Sequence, residues 1–282
     1  MLSALPRKFL RSFIRAGLWV TGMNRGGRLA AIFAEQFDPK VAVLFPDGTR
    51  ISMACPNTMA LWRAQSFLEK EPETIRWINS FQKNDTLLDI GANVGVFTLY
   101  AASRGHRVCA VEPEGGNYFL LNKNLFLNGF DRSVLAYNIA IADECDASRL
   151  FLSEFGAARA LHTVGKEENY RHEKMVSAFQ QGIWQLTLDK LLQGMPNFFP
   201  VHIKIDVDGA EARIISGAGS TLRDERLKSV LIEINEELAC DMALDDVFRS
   251  CGFIRTIREH AVIFNQGDFS RTFNYVYVRK GM

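Results

Sequence analysis

Residues 87–100 read LLDIGANVGVFTLY. An apolar run stops at Asp89, two glycines follow four apart as Gly91 and Gly95, and a second apolar run begins at once. Residues 86–90 have the near-continuous hydrophobicity of a central parallel strand buried on both faces. The glycines permit a tight turn and let another group come close to the backbone. Val96 to Ala102 then reads as the first turns of a helix. A strand, a glycine turn and a helix N-terminus together make the floor of a nucleotide site in a doubly wound sheet.

The spacing selects among nucleotides. A dinucleotide fingerprint needs glycine at its first, third and sixth positions, and from Gly91 those positions hold Gly91, Asn93 and Val96. The pattern present, Asp-x-Gly-x-x-x-Gly, resembles the first motif of S-adenosylmethionine-dependent methyltransferases. That cofactor has no pyrophosphate. It needs a glycine floor under its methionine part and an acid for its ribose. Glu112 fits the second need: it ends the next apolar run, RVCAVE at 107–112, about twenty residues past the turn, where a carboxylate accepts hydrogen bonds from both ribose hydroxyls.

IKIDVDGAE at 203–211 repeats the theme of a buried strand ending in an acid. Ligands of open α/β sheets sit outside the carboxyl ends of the strands, so Asp206 is expected to face the crevice of Gly91. Asp208 and Glu211 follow closely. Three carboxylates crowded together are unfavourable unless something uses them: a sulfonium and its ammonium, a metal ion, or a substrate hydroxyl. Asp208 and Glu211 also suit a helix N-terminus, where acids complement the dipole. Asp206 is the first candidate for general base or metal ligand, then Glu211 and Asp208. Asp206 and Asp208 are the pair expected to hold a divalent metal, if one is used. His162 sits in a polar segment able to swing over the pocket. His202 lies inside a strand and reads as structural. No His-x-x-x-His or Cys-x-x-Cys pairing supports zinc.

Composition narrows the classes further. The chain has 282 residues, 48% hydrophobic and 23% charged, enough for one large core. A net charge of +1 supplies no field to gather nucleic acid. The Asn/Asp-Pro-Pro-aromatic stretch of base methylation is absent at 206. Five scattered cysteines fit a reducing, cytoplasmic setting better than a disulfide framework. No run reaches the roughly 18 apolar residues of a membrane span. In MLSALPRKFLRSFIRAGLWV, however, Leu5, Phe9, Leu10, Phe13 and Ile14 share one helical face, and Lys8, Arg11, Ser12 and Arg15 the other. Such a helix lies on an anionic membrane surface, or packs on its own domain or on a second subunit.

The expected organisation is an N-terminal extension over 1–65 and a main domain over 66–282. The extension holds the amphipathic helix and a short β piece, VAVLFPDGTRISMAC, turning at Asp47-Gly48. EPETIRWINSF reads as a helix with Pro72 in its first turn. Strands are expected at 86–90, 107–112, 134–141, 201–206, 228–234, 261–265 and 274–279, with helices between the first five. The fold class is α/β: a Rossmann-like, mostly parallel seven-stranded sheet, helices on both faces, and an antiparallel edge hairpin made by the last two strands. Residues 143–185 fit the alternation poorly. They read as an insertion over the site, with an isolated apolar strand at 149–152.

The series QSFLEKEPETIRWI, TLLDIGANVGVFTLYAA, AVEPEGGNYFLLNKNLFLNG, NIAIAD, QLTLDKLL and VHIKIDVDGAEARIISGA resembles the FkbM family of S-adenosylmethionine-dependent methyltransferases, from about residue 65 to about 240. The resemblance implies a Rossmann-like sheet and methylation of hydroxyls on sugars and natural products. By position it implies that Asp89, Gly91, Asn93 and Gly95 line the cofactor, with Ala140 of NIAIAD. It implies that Glu112 holds the ribose, that Asp206 lies beside the reacting methyl, and that Glu71 reaches the site. The expected acceptor is a hydroxyl on a small molecule or glycan. The alternatives are a nucleic-acid methyltransferase and a non-enzymatic nucleoside-binding module. The latter is expected to lose Asp206 or Glu112, and both are present.

Overall fold

β3 (Thr86–Ile90), β10 (His202–Ile205) and β11 (Ser229–Asn235) form the centre of the main sheet. The computed structural model describes residues 31–32, 35–45, 48–260 and 269–281. The amphipathic N-terminal helix, Asp47 and the strand expected at 261–265 lie outside the described residues. The chain divides into two compact units, residues 1–40 and 41–282.

The central strands alternate their side chains between two layers of core, as the period of two dictates. Leu87 and Leu231 pack on one face with Leu99, Val108 and Leu121. Leu88, Ile203, Ile205 and Ile232 pack on the other with Ile214, Leu222 and Phe248. The strand order is β12–β13–β11–β10–β3–β4–β5, with β4 at Arg107–Val111, β5 at Val134–Tyr137, β12 at Phe253–Glu259 and β13 at Thr272–Arg279. β10 runs parallel to both β3 and β11, and β4 parallel to β3 and β5. α1 (Thr58–Lys70), α2 (Pro72–Asn79), α3 (Val96–Ser103) and α4 (Gly115–Asn128) contribute to the first layer. α5 (Leu188–Gln193), α6 (Glu211–Ser216), α7 (Gly219–Arg223), α8 (Ala239–Met242) and α9 (Leu244–Ser250) follow later in the chain. Pro72 stands in the first turn of α2.

Two strand assignments need correction. β13 (Thr272–Arg279) pairs antiparallel with β11 and with β12 (Phe253–Glu259), so its edge partner is FIRTIRE, a strand the sequence pattern did not give. β12 is mostly exposed and interleaves arginines with apolar residues, which hides it from a hydrophobicity reading. The run 134–141 is also two strands. After Tyr137 the Asn138 side chain donates to the carbonyls of Glu112 and Pro113, and the chain leaves the sheet.

Ala140–Ile141 (β6) then joins a second sheet of order β6–β9–β7–β8, with β7 at Asp146–Leu152, β8 at Thr163–Val164 and β9 at Phe179–Leu186. The strand read at 149–152 is the buried end of β7. β1 (Lys40–Leu44) and β2 (Arg50–Ala54) form a pair of their own. Ser52 N donates to Asn128 Oδ1 and Ala54 N to Asn124 Oδ1, each at 2.8 Å, so β2 is tied to α4. Among the described residues no helix is long and apolar enough to cross a membrane.

Candidate active site

The glycine turn is built by close approach. Gly91 has φ +83°, and a Cβ there would fall 1.9 Å from the carbonyl oxygen of Asp206. Its N–H and that of Ala92 donate to Val111 O, at 2.9 and 3.0 Å, which ties the turn to β4. Gly95 has φ +89°, and its Cβ would meet Leu121 Cδ1 at 2.4 Å. Asn93 takes φ +50° between them, and its side-chain oxygen accepts from Val94 N.

Asp89, at the end of β3, is 1% exposed. Its Oδ2 accepts from Thr98 Oγ1 at 2.5 Å, while its Oδ1 is buried with no partner. Burial raises its pKa. Asp206 follows β10, and its N–H extends the ladder to Ile90 O. Its Oδ2 lies 2.6 Å from Nζ of Lys204, which is itself sealed in the core beside the Phe97 ring. Burial pushes the Asp206 carboxyl up, but Lys204 and Lys70 outweigh it and hold it below the usual carboxylate range. Burial likewise pulls Lys204 down, and Asp206, Glu71 and Asp89 more than reverse that. Asp206 is therefore a fixed charge. This argues against the first choice of general base, since a depressed pKa weakens proton acceptance.

These groups share one cleft. α1 lines it with Trp62, Arg63 and Lys70, followed by Glu71, and the sheet end lines it with Asp89, Gly91, Asn93, Lys204 and Asp206. Glu71 joins the two helices and accepts from Lys70 Nζ at 2.7 Å.

Glu112 lies deeper, 5% exposed, and burial pushes it up to about 7. It accepts from Asn93 N at 2.8 Å and Glu114 N at 2.9 Å. Beside it runs a strap, residues 156–161 of the insertion. Asn57 and Arg63 donate to the carbonyls of Ala157 and Ala158. Asn93 and Asn117 both donate to Arg159 O, at 2.7 and 3.1 Å. Ala158 N donates to Asn117 Oδ1 at 2.6 Å, and Leu161 N to Asp208 Oδ2 at 2.7 Å. Ala158, Leu161 and Asp208 all take positive φ, a conformation that non-glycine residues adopt at a penalty.

Asp208 thus holds the strap and does not cap α6, whose N-cap Ala210 has no side-chain bond. Burial and the neighbouring Asp206 push it up to about 6. Glu211 accepts from Val207 N and Gly209 N, and burial with Asp241 pushes it up to about 8. Glu233 on β11 is driven well above its ordinary range by burial and by Asp206. Asp208, Glu211, Glu233 and Asp241 line a second, smaller cavity with Tyr170 and Phe269, whose rings stack 4.7 Å apart.

His162 stands at the strap's end. Its Nδ1 accepts from Ser153 N at 3.3 Å, and its Nε2 is buried without a partner. Burial and the charge of Arg63 pull its pKa down to about 4. A neutral ring that accepts at Nδ1 carries its proton on Nε2, which makes that nitrogen a donor. Ala140 does not line the cleft; it packs with Leu150, Leu152 and Ile183 in the second sheet. Among the described residues no group of three or more His, Cys, Asp or Glu side chains is placed to hold a metal ion.

The sequence reading missed Arg63, Lys70, Lys204 and Glu233. A signal existed for two of them: Lys204 and Glu233 are lone charges inside the apolar runs VHIKI and VLIEI.

A mostly parallel sheet with a glycine turn and acids at the carboxyl ends of β3, β4 and β10 defines a Rossmann-like methyltransferase. A sequence profile for the FkbM methyltransferase domain matches residues 89–255, more than half of the chain. The chain belongs to the FkbM methyltransferase family. No curated protein matches the sequence. Solved structures similar to it include magnesium protoporphyrin IX methyltransferase from Synechocystis PCC 6803 with bound SAM, at 8% identity and TM-score 0.45, covering 80% of this chain and 86% of that one. A putative methyltransferase from Escherichia coli is 11% identical with TM-score 0.47, covering 86% of this chain and 100% of that one. Precorrin-6y C5,15-methyltransferase from Geobacter metallireducens GS-15 is 12% identical with TM-score 0.41, covering 75% and 87%.

Proposed function

We propose that the protein is an S-adenosylmethionine-dependent O-methyltransferase whose acceptor is a hydroxyl on a sugar, glycan or natural product. The observation that carries the cofactor is the orphaned, buried Oδ1 of Asp89 beside a Gly91 turn that a single Cβ would obstruct. A cationic ligand lying on bare backbone satisfies both. When bound, the cofactor supplies a methyl group on an already activated sulfonium. Gly91 to Asn93 would form its floor, Glu112 would hold the ribose, and Asp89 with Glu71 would face the ammonium.

The chain's remaining task is to place an acceptor oxygen in line and to receive its proton. Asp206, kept ionised by Lys204, is suited to orient that hydroxyl as a fixed hydrogen-bond acceptor. Asp208, next but one in sequence and poised at about 6, is suited to take the proton. The small cavity lined by Asp208, Glu211, Glu233 and the stacked Tyr170 and Phe269 would mark the side from which the acceptor reaches Asp208. All five cysteines are free, which supports a reducing, cytoplasmic setting. The basic amphipathic N-terminal segment is proposed to contact a membrane surface or a second subunit.

Titration calorimetry with S-adenosyl-L-homocysteine and with NAD tests the cofactor. Micromolar binding of the first and none of the second is expected; the reverse would sink the reading. Transfer of labelled methyl from the cofactor to a panel of hydroxylated sugars, with RNA as the contrast, tests the acceptor. Label on RNA and none on the sugars would overturn the O-methylation assignment.

A further inference from the structure

Both oxygens of Glu112 are already taken, Oε2 by Asn93 N and Oε1 by Glu114 N, and Asn117 Nδ2 reaches Oε1 as well, at 3.4 Å. Asn93 and Asn117 in turn give their side-chain amides to the strap carbonyl of Arg159. Ala157 Cα stands 3.5 Å from where a Cβ on Gly116 would lie, and Ala158 is fully buried. Glu112 does not line the cleft of Asp89, Gly91 and Asn93. The methionine half of the proposed site is therefore open, while the strap covers the nucleoside half. Closure has a cost. Ala158 and Leu161 are held left-handed, which L side chains adopt at a penalty. Arg159 Nε, within the strap, and His162 Nε2, at its end, are buried without a partner among the described residues, and such orphans are unfavourable. The bonds that hold the strap are polar, so a ligand offering similar acceptors can replace them.

We propose that residues 156–161 form an autoinhibitory strap, which occupies the nucleoside half of the cofactor site and is displaced when the cofactor binds. This rests on the cofactor reading above. Arg159 O stands in for a ligand acceptor on the amides of Asn93 and Asn117, so strap and nucleoside compete for the same donors. The apparent affinity is then the intrinsic affinity reduced by the fraction of molecules whose strap is open. Asn57 and Arg63 help to set that fraction from outside the nucleoside half, through the carbonyls of Ala157 and Ala158.

Two measurements on the full chain test this. The first is calorimetry with S-adenosyl-L-homocysteine on the unmodified protein and on Asn57→Ser. Serine keeps an oxygen to cap Met59 N and Ala60 N, as Asn57 Oδ1 does, but removes the donor to Ala157 O. Weakening the strap by one hydrogen bond should tighten ligand binding by about fivefold. The second is limited trypsin digestion of the unmodified protein, with cleavage after Arg159 followed by mass spectrometry. Saturating S-adenosyl-L-homocysteine should speed that cut by about threefold or more, because proteolysis tracks the population of the open segment. Equal or weaker binding by Asn57→Ser would overturn the strap and leave the cofactor reading standing. So would a cut that the ligand leaves unchanged or slows, which would mean that the segment stays in place or closes over the bound cofactor. If neither protein binds S-adenosyl-L-homocysteine, the cofactor reading falls and the strap proposal falls with it. The digestion does not depend on any variant folding.

Discussion

The two ends of the central strands use the same kinds of residue in opposite ways. At the far end, where β10 and β11 begin and β3 is entered, His202 Nδ1 lies 2.7 Å from Ser229 Oγ, and its Nε2 lies 3.0 Å from Asp85 Oδ2. Trp77 Nε1 donates to Ser229 Oγ at 2.9 Å, and Phe81 stacks on the imidazole at 3.7 Å. The connectivity is that of a serine–histidine–aspartate triad, but all three residues are buried. At the cofactor end Asp89 Oδ1 and His162 Nε2 are buried without partners, and several carboxyls are driven far up by burial. Identical chemistry closes on itself where the fold needs strength and stays open where a ligand completes it.

The hardest way to break this contrast is at the turn. Gly91→Ala places a methyl against the Asp206 backbone and forces a left-handed alanine. A loss of roughly 4 kcal/mol or more is expected, in the exceptional range for a point substitution. Denaturant titration checks it, and S-adenosyl-L-homocysteine binding should vanish. Stability close to the parent would mean that the turn has more room than the structure gives it.

Next comes the ion pair. Asp206→Asn leaves the Lys204 ammonium sealed without its partner, which should destabilise the protein by about 3 kcal/mol, and loses the charge that orients the acceptor, which should lower transfer by roughly 100-fold. Adding Lys204→Met should recover stability but not transfer. Recovery of both would reduce the pair to a structural role.

The third prediction concerns pH, and the two ends should answer with opposite signs. His202 is held down to about 4, from 6.5, by burial. Below 6.5 the unfolded chain takes up a proton that the folded histidine refuses, so stability falls as pH drops toward 4. Glu211 is pushed from 4.5 to about 8. Between those values the unfolded carboxyl ionises while the folded one does not, so stability falls as pH rises. Urea unfolding across this range should show Glu211→Gln losing part of the alkaline decline and keeping the acid one. An unchanged alkaline slope in that variant would remove Glu211 from the account.

The smallest expected effect belongs to the closed end. Trp77→Phe removes one donor to Ser229 and should cost about 1 kcal/mol, the value of a single hydrogen bond. Thermal unfolding should then shift by only about 2–4 °C, with cofactor affinity unchanged.

The cofactor end of the sheet could be read from the chain because its demands are local. Gly91 and Gly95 must be glycine for backbone and packing reasons within a few residues of sequence, and Asp89, Glu112 and Asp206 each finish an apolar run. The rest of the site is assembled over distance. Arg63 meets the strap 95 residues away, and Asn57 meets it 100 residues away. Nothing near Ala158 in sequence announces such partners. Asp208 looked like a helix cap because its neighbours are those of a helix start, yet its bond runs 47 residues back to Leu161. Ala140 fell in a familiar motif, but its strand belongs to the insertion's sheet.

The triad-like network also acts as a dowel between strands. It fastens Asp85, just ahead of β3, to the opening residues of β10 and β11, and the register sets His202 against Leu87 and Ile205 against Ile90. Sliding β10 by one residue would break both bonds to His202 and turn every side chain of the strand to the opposite face. Asp89 lies four residues beyond Asp85, and Asp206 four beyond His202, roughly 13 Å along the strands. A lock at one end therefore sets the alignment at the other, much as a vernier does: the spacing between the carboxylates of the cleft is gauged by groups that never touch a ligand.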